Sequence, residues 1–486
     1  MKIKLLTIIL FLISTTLYSQ WEIVGGNSSY FTPNPGYGNG QSSSSIQLLQ
    51  FHPQTNEPYV FFRHLTTNVA AGPSLIKFNG TNWEFISQQF DGPGAGNTSS
   101  ADFFWGFYFR QDTNLPVVFY QDSYFEGGST KYKYHVAQRV GNTWEEIMGA
   151  DNKVVNDVFL GGHRVKMVRK PNTNLPVLIG NGPTQIPNGS KSMVVHFDTD
   201  TWSLLGDATF SGFGAYVSDI DYNTTTNIPY AIVSTLNANA TATIAEVWYY
   251  QGSWQLLGNP GFVPANFGEG FRIRVNQLNG AVYVMSPEAY DNPNNAQTKT
   301  LSVKKWNGTT WQTIGLPSEL YPTSLLGYDL EIHPVTGVPY VCFIDGNAPN
   351  PGNINIRKWN GQNWVSISNS NLLGTLGEKI DLVFQPQTNI PHVISTSGQL
   401  LKCVEATASL KDVNMVNIAI YPNPARSEVE IKGTEVKKVS VFDIRGVEVL
   451  VASKARFAIK KLKTGLYFLV INNNQNQRII KKLVVQ

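Results

Sequence analysis

A tryptophan returns seven times along this chain at nearly even spacing: Trp21, Trp83, Trp144, Trp202, Trp254, Trp311 and Trp364. The intervals are 62, 61, 58, 52, 57 and 53 residues, and self-similarity at such a period marks a repeat architecture. A second motif keeps step with it. It reads TNEPYV from Thr55, TNLPVV from Thr113, TNLPVL from Thr173, TNIPYA from Thr226, TGVPYV from Thr336 and TNIPHV from Thr388. A seventh, degenerate copy reads LNGAVYV from Leu278. Two markers in fixed order constrain the architecture far more tightly than they constrain a ligand.

Each repeat reads as four short strands. In the first full copy, Ile46 to Phe51 and Tyr59 to Phe62 are apolar runs on either side of the Thr-Asn-x-Pro turn. Leu75 to Phe78 then leads through Asn79-Gly80 into Trp83 to Ile86. Asn-Gly between apolar runs is a hairpin signal, because the tight turn needs positive φ. It returns as Gly141-Asn142, Gln251-Gly252, Asn307-Gly308 and Asn360-Gly361. No helix-period segment of useful length separates the repeats. The expected fold of the body is all-β, a seven-bladed β-propeller. Trp21 to Gly25 is a lone fourth strand, and the last repeat, from Ile380 to Val404, lacks one. The expectation is three-plus-one closure, which removes exposed sheet edges; an open solenoid is the alternative. The repeated tryptophans are expected to pack between blades.

The two ends differ from the body. Lys2 and Lys4 precede the apolar run Leu5 to Ile13, which is too short to span a bilayer and reads as a secretory signal peptide over residues 1–19. No later stretch has the length of a transmembrane helix. Residues 414–486 hold 13 Lys and Arg against 5 Asp and Glu, whereas residues 21–413 hold 22 against 29. A basic tail on an acidic body argues for separate domains. The expected boundaries are 20–405 for the propeller, 406–413 for a linker and 414–486 for the tail.

The tail carries Tyr421-Pro422-Asn423-Pro424-Ala425, then VSVFDIRGVEV from Val439, then Thr464-Gly465-Leu466-Tyr467 running into FLVINN, and it closes on KKLVVQ with Lys481 and Lys482. In these residues it resembles the C-terminal sorting domain of type IX secretion cargo. The resemblance covers about 414–486 and says nothing about the body. It implies a small Ig-like β-sandwich, recognition by the type IX machinery at the outer membrane, and a secreted or cell-surface protein that passes through the periplasm. The alternating residues Val429 to Lys432 and Val439 to Asp443 independently read as half-buried strands. The basic run Lys460-Lys461-Leu462-Lys463 is read as a solvated face rather than a nucleic-acid contact.

Loop length selects the functional face. The turns after the first and third strands of each repeat are tight and repetitive. The other connections are long: Val24 to Ser45, Ser87 to Asp102, Gln121 to Lys133, Gly149 to Gly162, Gly258 to Gly270 and Met285 to Thr300. Long variable loops on a rigid scaffold are where binding sites sit. Their aromatic residues Tyr30, Tyr37, Tyr124, Phe125 and Tyr290, with Trp105, are candidates for contact with a glycan or a protein. His163 and Arg164 join them, and His163 is the one candidate for proton abstraction in a polysaccharide lyase. The first strands add charges two residues apart, which share one side of a strand: Lys166, then Asp219 and Asp221, Arg272 and Arg274, Asp329 and Glu331, and Asp381. They predict an ion-pair ring between blades 3 and 6 near the central tunnel, or a tunnel mouth for an anion or uronic acid.

Little else carries chemistry. Cys342 and Cys403 read as buried free thiols, and His52 and His333 as structural groups in tight turns. No HExxH, GxSxG, Cys/His metal spacing or phosphate loop occurs. The oxygen-rich segments Asp291-Asn-Pro-Asn-Asn and Asp345-Gly-Asn lack the spacing of a known calcium loop, so no metal or cofactor is expected and calcium is a weak alternative. The expected function is ligand binding at the cell surface or outside the cell. The alternatives are a polysaccharide lyase and a structural or adhesion component.

Overall fold

The Thr-Asn-x-Pro motif is a turn with one left-handed residue. Asn56, Asn114, Asn174, Asn227, Gly280, Gly337 and Asn389 all have φ between +57° and +72°, a region that Asn and Gly tolerate best. Each donates its backbone N–H to the carbonyl four residues earlier, as Asn56 does to His52 (2.9 Å) and Gly280 to Asn276 (2.7 Å). The proline that follows opens the next strand in five of the seven copies without disturbing this bond, at Pro58, Pro116, Pro176, Pro339 and Pro391.

In the computed structural model the described residues are 20–25, 47–64, 72–87, 105–158, 165–181, 191–207, 209–212, 218–236, 243–262, 270–289, 299–316, 319–320, 327–344, 353–368, 380–395, 399–404, 419–433, 435–443, 448–473 and 478–486. The chain divides into two compact units, with Tyr18–Glu405 in one and Ala406–Gln486 in the other. Among its described residues the larger unit is all-β apart from one helical turn, Val155–Val158. Its described residues form seven four-stranded antiparallel sheets. Sheet 1 is Gln47–Phe51, Pro58–His64, Gly72–Phe78 and Trp83–Ser87; sheet 2 is Trp105–Phe109, Pro116–Glu126, Ser129–Val140 and Thr143–Glu146. Sheet 3 is Lys166–Arg169, Pro176–Asn181, Ser192–Asp198 and Thr201–Leu204; sheet 4 is Ser218–Asn223, Ile228–Leu236, Thr243–Tyr250 and Trp254–Leu256. Sheet 5 is Arg272–Val275, Val282–Ala289, Lys299–Trp306 and Trp311–Ile314; sheet 6 is Tyr328–Ile332, Pro339–Ile344, Ile354–Trp359 and Trp364–Ser366.

Sheet 7 joins the two ends of the unit. Ile380–Phe384, Pro391–Ser395 and Gln399–Val404 pair in order, and Gln20–Ile23 adds the fourth strand, with Trp21 opposite Cys403. The first strand of each sheet lies against the first strand of the next, and that of sheet 7 lies against that of sheet 1. Apolar clusters fill the space between neighbours, as where Ile232 and Val247 of sheet 4 meet Ile273 and Val284 of sheet 5. Cys342 and Cys403 are both buried, and neither is in a disulfide.

The repeated indoles join one sheet to the next. Trp202 Nε1 donates to the carbonyl of Ile147 (2.8 Å), Trp254 to Leu205 (2.7 Å), Trp311 to Leu257 (3.3 Å), Trp364 to Ile314 (3.1 Å) and Trp21 to Ile367 (2.9 Å). Every acceptor lies three residues after the tryptophan of the preceding sheet. The next position in four repeats is a glycine with positive φ: Gly25, Gly206, Gly258 and Gly315. A Cβ on Gly315 would lie 2.3 Å from Cδ1 of Trp364, and one on Gly25 would lie 2.7 Å from Nε1 of Trp83. Glycine is required there because the next indole stands on it.

Two sequence expectations are corrected. Gln121 to Lys133 is not a loop: the second and third strands of sheet 2 continue through it to Glu126 and Ser129, turning at Gly127-Gly128. Tyr, Phe and Thr there fit an extended ladder, and the paired glycines supply the turn. Likewise Met285 to Ala289 is strand, pairing with Lys299 to Val303.

The smaller unit has a three-stranded sheet (Ala419–Tyr421, Glu428–Lys432, Arg456–Ala458) and a four-stranded sheet (Glu448–Ala452, Val436–Asp443, Gly465–Asn473, Arg478–Val485). They share a core of Val429, Ile431, Val439, Val441, Leu469, Ile471, Leu483 and Val485.

Deleting residues 20–25 should strip sheet 7 of its fourth strand and of the Trp21 bond, exposing the edge at Gln399–Val404. Aggregation, or a melting temperature lower by roughly 5 °C or more, is expected by differential scanning calorimetry. Unchanged melting would show that the closing strand contributes nothing.

Candidate functional site

Alternation along the first strands sends one set of side chains to the sheet cores and the other to the ring interior. Ile220, Ile273 and Leu330 are fully buried, and the charged residues on either side of each face the interior. There they bound a cavity of about 370 Å³ that includes Lys166, Asp219, Asp221, Arg274, Glu331 and Asp381. It also reaches Gln277, His333 and Pro334 in the tight turns, so it lies at the turn end of the ring interior.

Arg274 is the hub. Its guanidinium reaches Glu331 Oε1 (2.6 Å), Asp219 Oδ2 (3.0 Å) and Asp329 Oδ1 (3.4 Å) and donates to the Ile273 carbonyl (2.8 Å). Arg272 pairs with Asp329 (3.1 Å) and donates to the carbonyls of Phe271 and Tyr328. The ion-pair system therefore spans sheets 4 to 6. Lys166 of sheet 3, expected within it, makes no ion pair and no side-chain hydrogen bond among the described residues. It faces the cavity instead.

The carboxylates also bind backbone across sheet boundaries. Asp219 accepts the N–H of Ile273 (3.0 Å) and Asp221 that of Val275 (2.8 Å), joining sheet 4 to sheet 5. Asp329 accepts from Leu382 (3.1 Å), joining sheet 6 to sheet 7, and Asp381 from Leu49 (2.9 Å), joining sheet 7 to sheet 1.

Burial sets the protonation of this cluster. It pushes Asp221 up to about 6 against the charge of Arg274 and the N–H bonds from Val275 and Tyr222. Burial, reinforced by Asp329, pushes Asp381 up to about 7. It pushes Glu331 up to about 8, with Arg274 opposing. Burial works against the charge on Arg274, but Glu331, Asp219, Asp329 and Asp221 together hold its pKa well above the ordinary value. Lys166 is lowered, by burial first and Arg272 next.

The loop-face candidates are not gathered by the described structure. Tyr30, Tyr37, His163, Arg164 and Tyr290 lie outside the described residues, as do the calcium-suited segments 291–295 and 345–347. Trp105, Tyr124 and Phe125 are placed by backbone only: Trp105 opens sheet 2 opposite Tyr120, and Tyr124 and Phe125 sit opposite Lys131 and Thr130 in the long hairpin. Trp248, also outside the repeated aromatic columns, donates to Glu246 (2.9 Å). His52 and His333 cap their turns through Nδ1, accepting two backbone N–H groups each.

In the tail, the residues singled out by sequence come together. Asn423 Nδ2 donates to the carbonyl of Lys482 (2.8 Å), and its Oδ1 accepts the N–H of Val484 (2.9 Å). Ala425 N–H donates to the Val484 carbonyl, and Gln486 N–H to that of Ala425 (both 2.8 Å). The Tyr421 to Ala425 segment therefore clasps the terminal KKLVVQ strand. The peptide bonds before Pro422 and Pro424 are both cis. Tyr467, which follows Gly465 by two, is buried with its hydroxyl on the Lys463 carbonyl (2.8 Å). Tyr421, Lys481 and Lys482 are exposed, as are Lys460, Lys461 and Lys463.

Residues 419–486 match the secretion system C-terminal sorting domain family. The tail is a C-terminal sorting domain. The protein that carries it is exported to the cell surface or secreted, and the sorting domain implies the type IX machinery as a partner. No helix among the described residues is long and apolar enough to cross a membrane. No curated protein matches the chain. Solved structures similar to the body include an α-L-arabinanase of Penicillium chrysogenum complexed with arabinobiose (11% identity, 62% of this chain and 92% of that one, TM-score 0.37). Another is an α-L-arabinofuranosidase of Fusarium graminearum (11%, 65% and 96%, 0.42). A third is the β-propeller domain of the Trilobed protease of Pyrococcus furiosus (10%, 74% and 95%, 0.40). The arrangement of sheets rests on this chain's own strand pairing.

A carboxyl raised in the folded state binds a proton that the unfolded chain releases, so its contribution to stability falls as pH rises from the unfolded value toward the folded one. Asp381 should act in this way between about pH 4 and 7. Asp381→Asn can still accept the Leu49 N–H but carries no proton linkage. The melting temperature of the variant minus that of the wild type should therefore increase from pH 5 to pH 8. A constant difference across that range would contradict the raised carboxyl.

Proposed function

We propose that residues 20–405 form a seven-bladed β-propeller with three-plus-one closure that binds a glycan or protein ligand through its long-loop face. In this reading residues 1–19 are a signal peptide, 406–413 a linker and 414–486 an Ig-like β-sandwich that exports the propeller. Seven four-stranded sheets with first strands in closed succession support the blade count. The observation that carries the binding reading is the uniformity of the seven first turns, all bent at a left-handed Asn or Gly. A face built seven times alike leaves diversity to the opposite connections, whose sequences carry the aromatic and amide residues. No metal or cofactor is required for such binding.

A glycan array and a surface-protein pull-down with the mature chain are the test. Binding should fall at least tenfold in a Trp105→Ala/Tyr124→Ala/Phe125→Ala variant whose melting is unchanged. Unsaturated product from a uronate polymer, followed by ultraviolet absorbance and lost in His163→Ala, would replace binding with elimination chemistry.

The export reading has its own test. A chain truncated at Asp412 retains the larger unit and residues 1–19. It should cross the inner membrane, fold and remain in the periplasm, as read by fractionation and immunoblotting. Normal levels at the cell surface or in the medium would contradict a sorting role for Tyr421 to Ala425 and KKLVVQ.

A further inference from the structure

The cavity at the turn end of the ring interior has the size and chemistry of a ligand site in its own right. Its volume of about 370 Å³ lies within the roughly 300–1,000 Å³ span of small-molecule sites. Its walls divide into groups already satisfied and groups left over. Four of the five N–H donors of the Arg274 guanidinium are taken by three carboxylates and a carbonyl. Left over are the ammonium of Lys166 and the amide of Gln50, which have no side-chain partner among the described residues. One oxygen each of Asp381 and Glu331 is also left, the other being held by the Leu49 N–H and by Arg274 respectively.

We propose that this cavity binds a small neutral polyol, such as a single pyranose ring, at a site separate from the long-loop face. Three properties select that class. Donors and acceptors alternate around one small space, as a ring of hydroxyls demands. The charges are mixed, so a net anion meets Asp381, Glu331 and the carboxylates behind them, while a net cation meets Lys166. This displaces the anion or uronic acid that the sequence pattern had allowed. Half-buried Leu48 and Val168 also line the space and offer apolar contact to ring CH groups. The walls are fixed in advance by sheet-to-sheet bonds, which lowers the ordering cost of binding. The proposal does not depend on what the long loops bind.

The test uses the full mature chain in isothermal titration and saturation-transfer NMR with glucose, galactose, mannose, xylose, glucuronate and glucosamine. At least one neutral sugar should bind saturably, with glucuronate and glucosamine at least tenfold weaker. Lys166→Met and Gln50→Leu should each weaken that binding at least tenfold. Gln50→Leu removes no charge, so it reports even if Lys166→Met does not fold. The proposal is overturned if no neutral sugar binds, if glucuronate or glucosamine binds tightest, or if folded Gln50→Leu binds as the wild type does. That last outcome would place the sugar on another face.

Discussion

The larger unit depends on one bond made repeatedly, from an indole N–H to the carbonyl at the end of the preceding sheet. Trp202, Trp254, Trp311 and Trp364 each play both parts. Trp254 donates backward to Leu205, while its own strand supplies Leu257 as the acceptor for Trp311. Successive sheets are thus coupled head to tail, and Trp21 joins the last acceptor, Ile367, to the first strand of the chain. One such bond contributes only about 0.5–1.5 kcal/mol net, but leaving a buried carbonyl without it costs about 1–3 kcal/mol. That asymmetry, rather than attraction alone, holds the spacing of neighbouring sheets.

A second linkage runs nearer the axis and has a different chemistry. Asp219, Asp221, Asp329 and Asp381 each reach across a boundary to a backbone N–H of the following first strand. Carboxylates so placed must be desolvated, which is costly unless charge is returned. Arg272 and Arg274 return it for sheets 4 and 6. Asp381 has a backbone N–H and no arginine within ion-pair distance, which is why burial raises it. The groups that hold the ring together are therefore also the groups that give the cavity its polarity. Structure and candidate binding chemistry share residues here.

Repetition made the fold legible in the sequence. Seven tryptophans and seven first turns, five of them Thr-Asn-x-Pro, mark the strand order, and unequal ends point to the pairing of Gln20–Ile23 with Gln399–Val404. What failed to repeat was misread. The hairpin from Gln121 to Lys133 looked like a loop because its Gly-Gly tip sits off the repeat period. The glycines four residues after Trp21, Trp202, Trp254 and Trp311 are visible in the sequence, but their reason is an indole one sheet away. The Asp-to-backbone links were invisible because their acceptors' partners are N–H groups, which every residue carries. Lys166 was placed in the ion-pair ring by the alternation of signs along the first strands, but sign alone does not fix distance. In the tail, Asn423 and KKLVVQ stand out in the sequence as separate motifs, and the structure brings them together: one clasps the other.

Closure of the larger unit is the longest-range event in the chain. The Trp21–Ile367 bond joins residues 346 apart, and contacts of such separation form late because loop entropy must be overcome first. Until then Gln399–Val404 presents an unpaired edge, the kind of surface that invites association between chains. The smaller unit faces no such delay. Its core is built from residues 425 to 485 alone, and its longest described link, between Asn423 and Val484, spans 61 residues. A chain built this way completes its sorting tail independently of its ring.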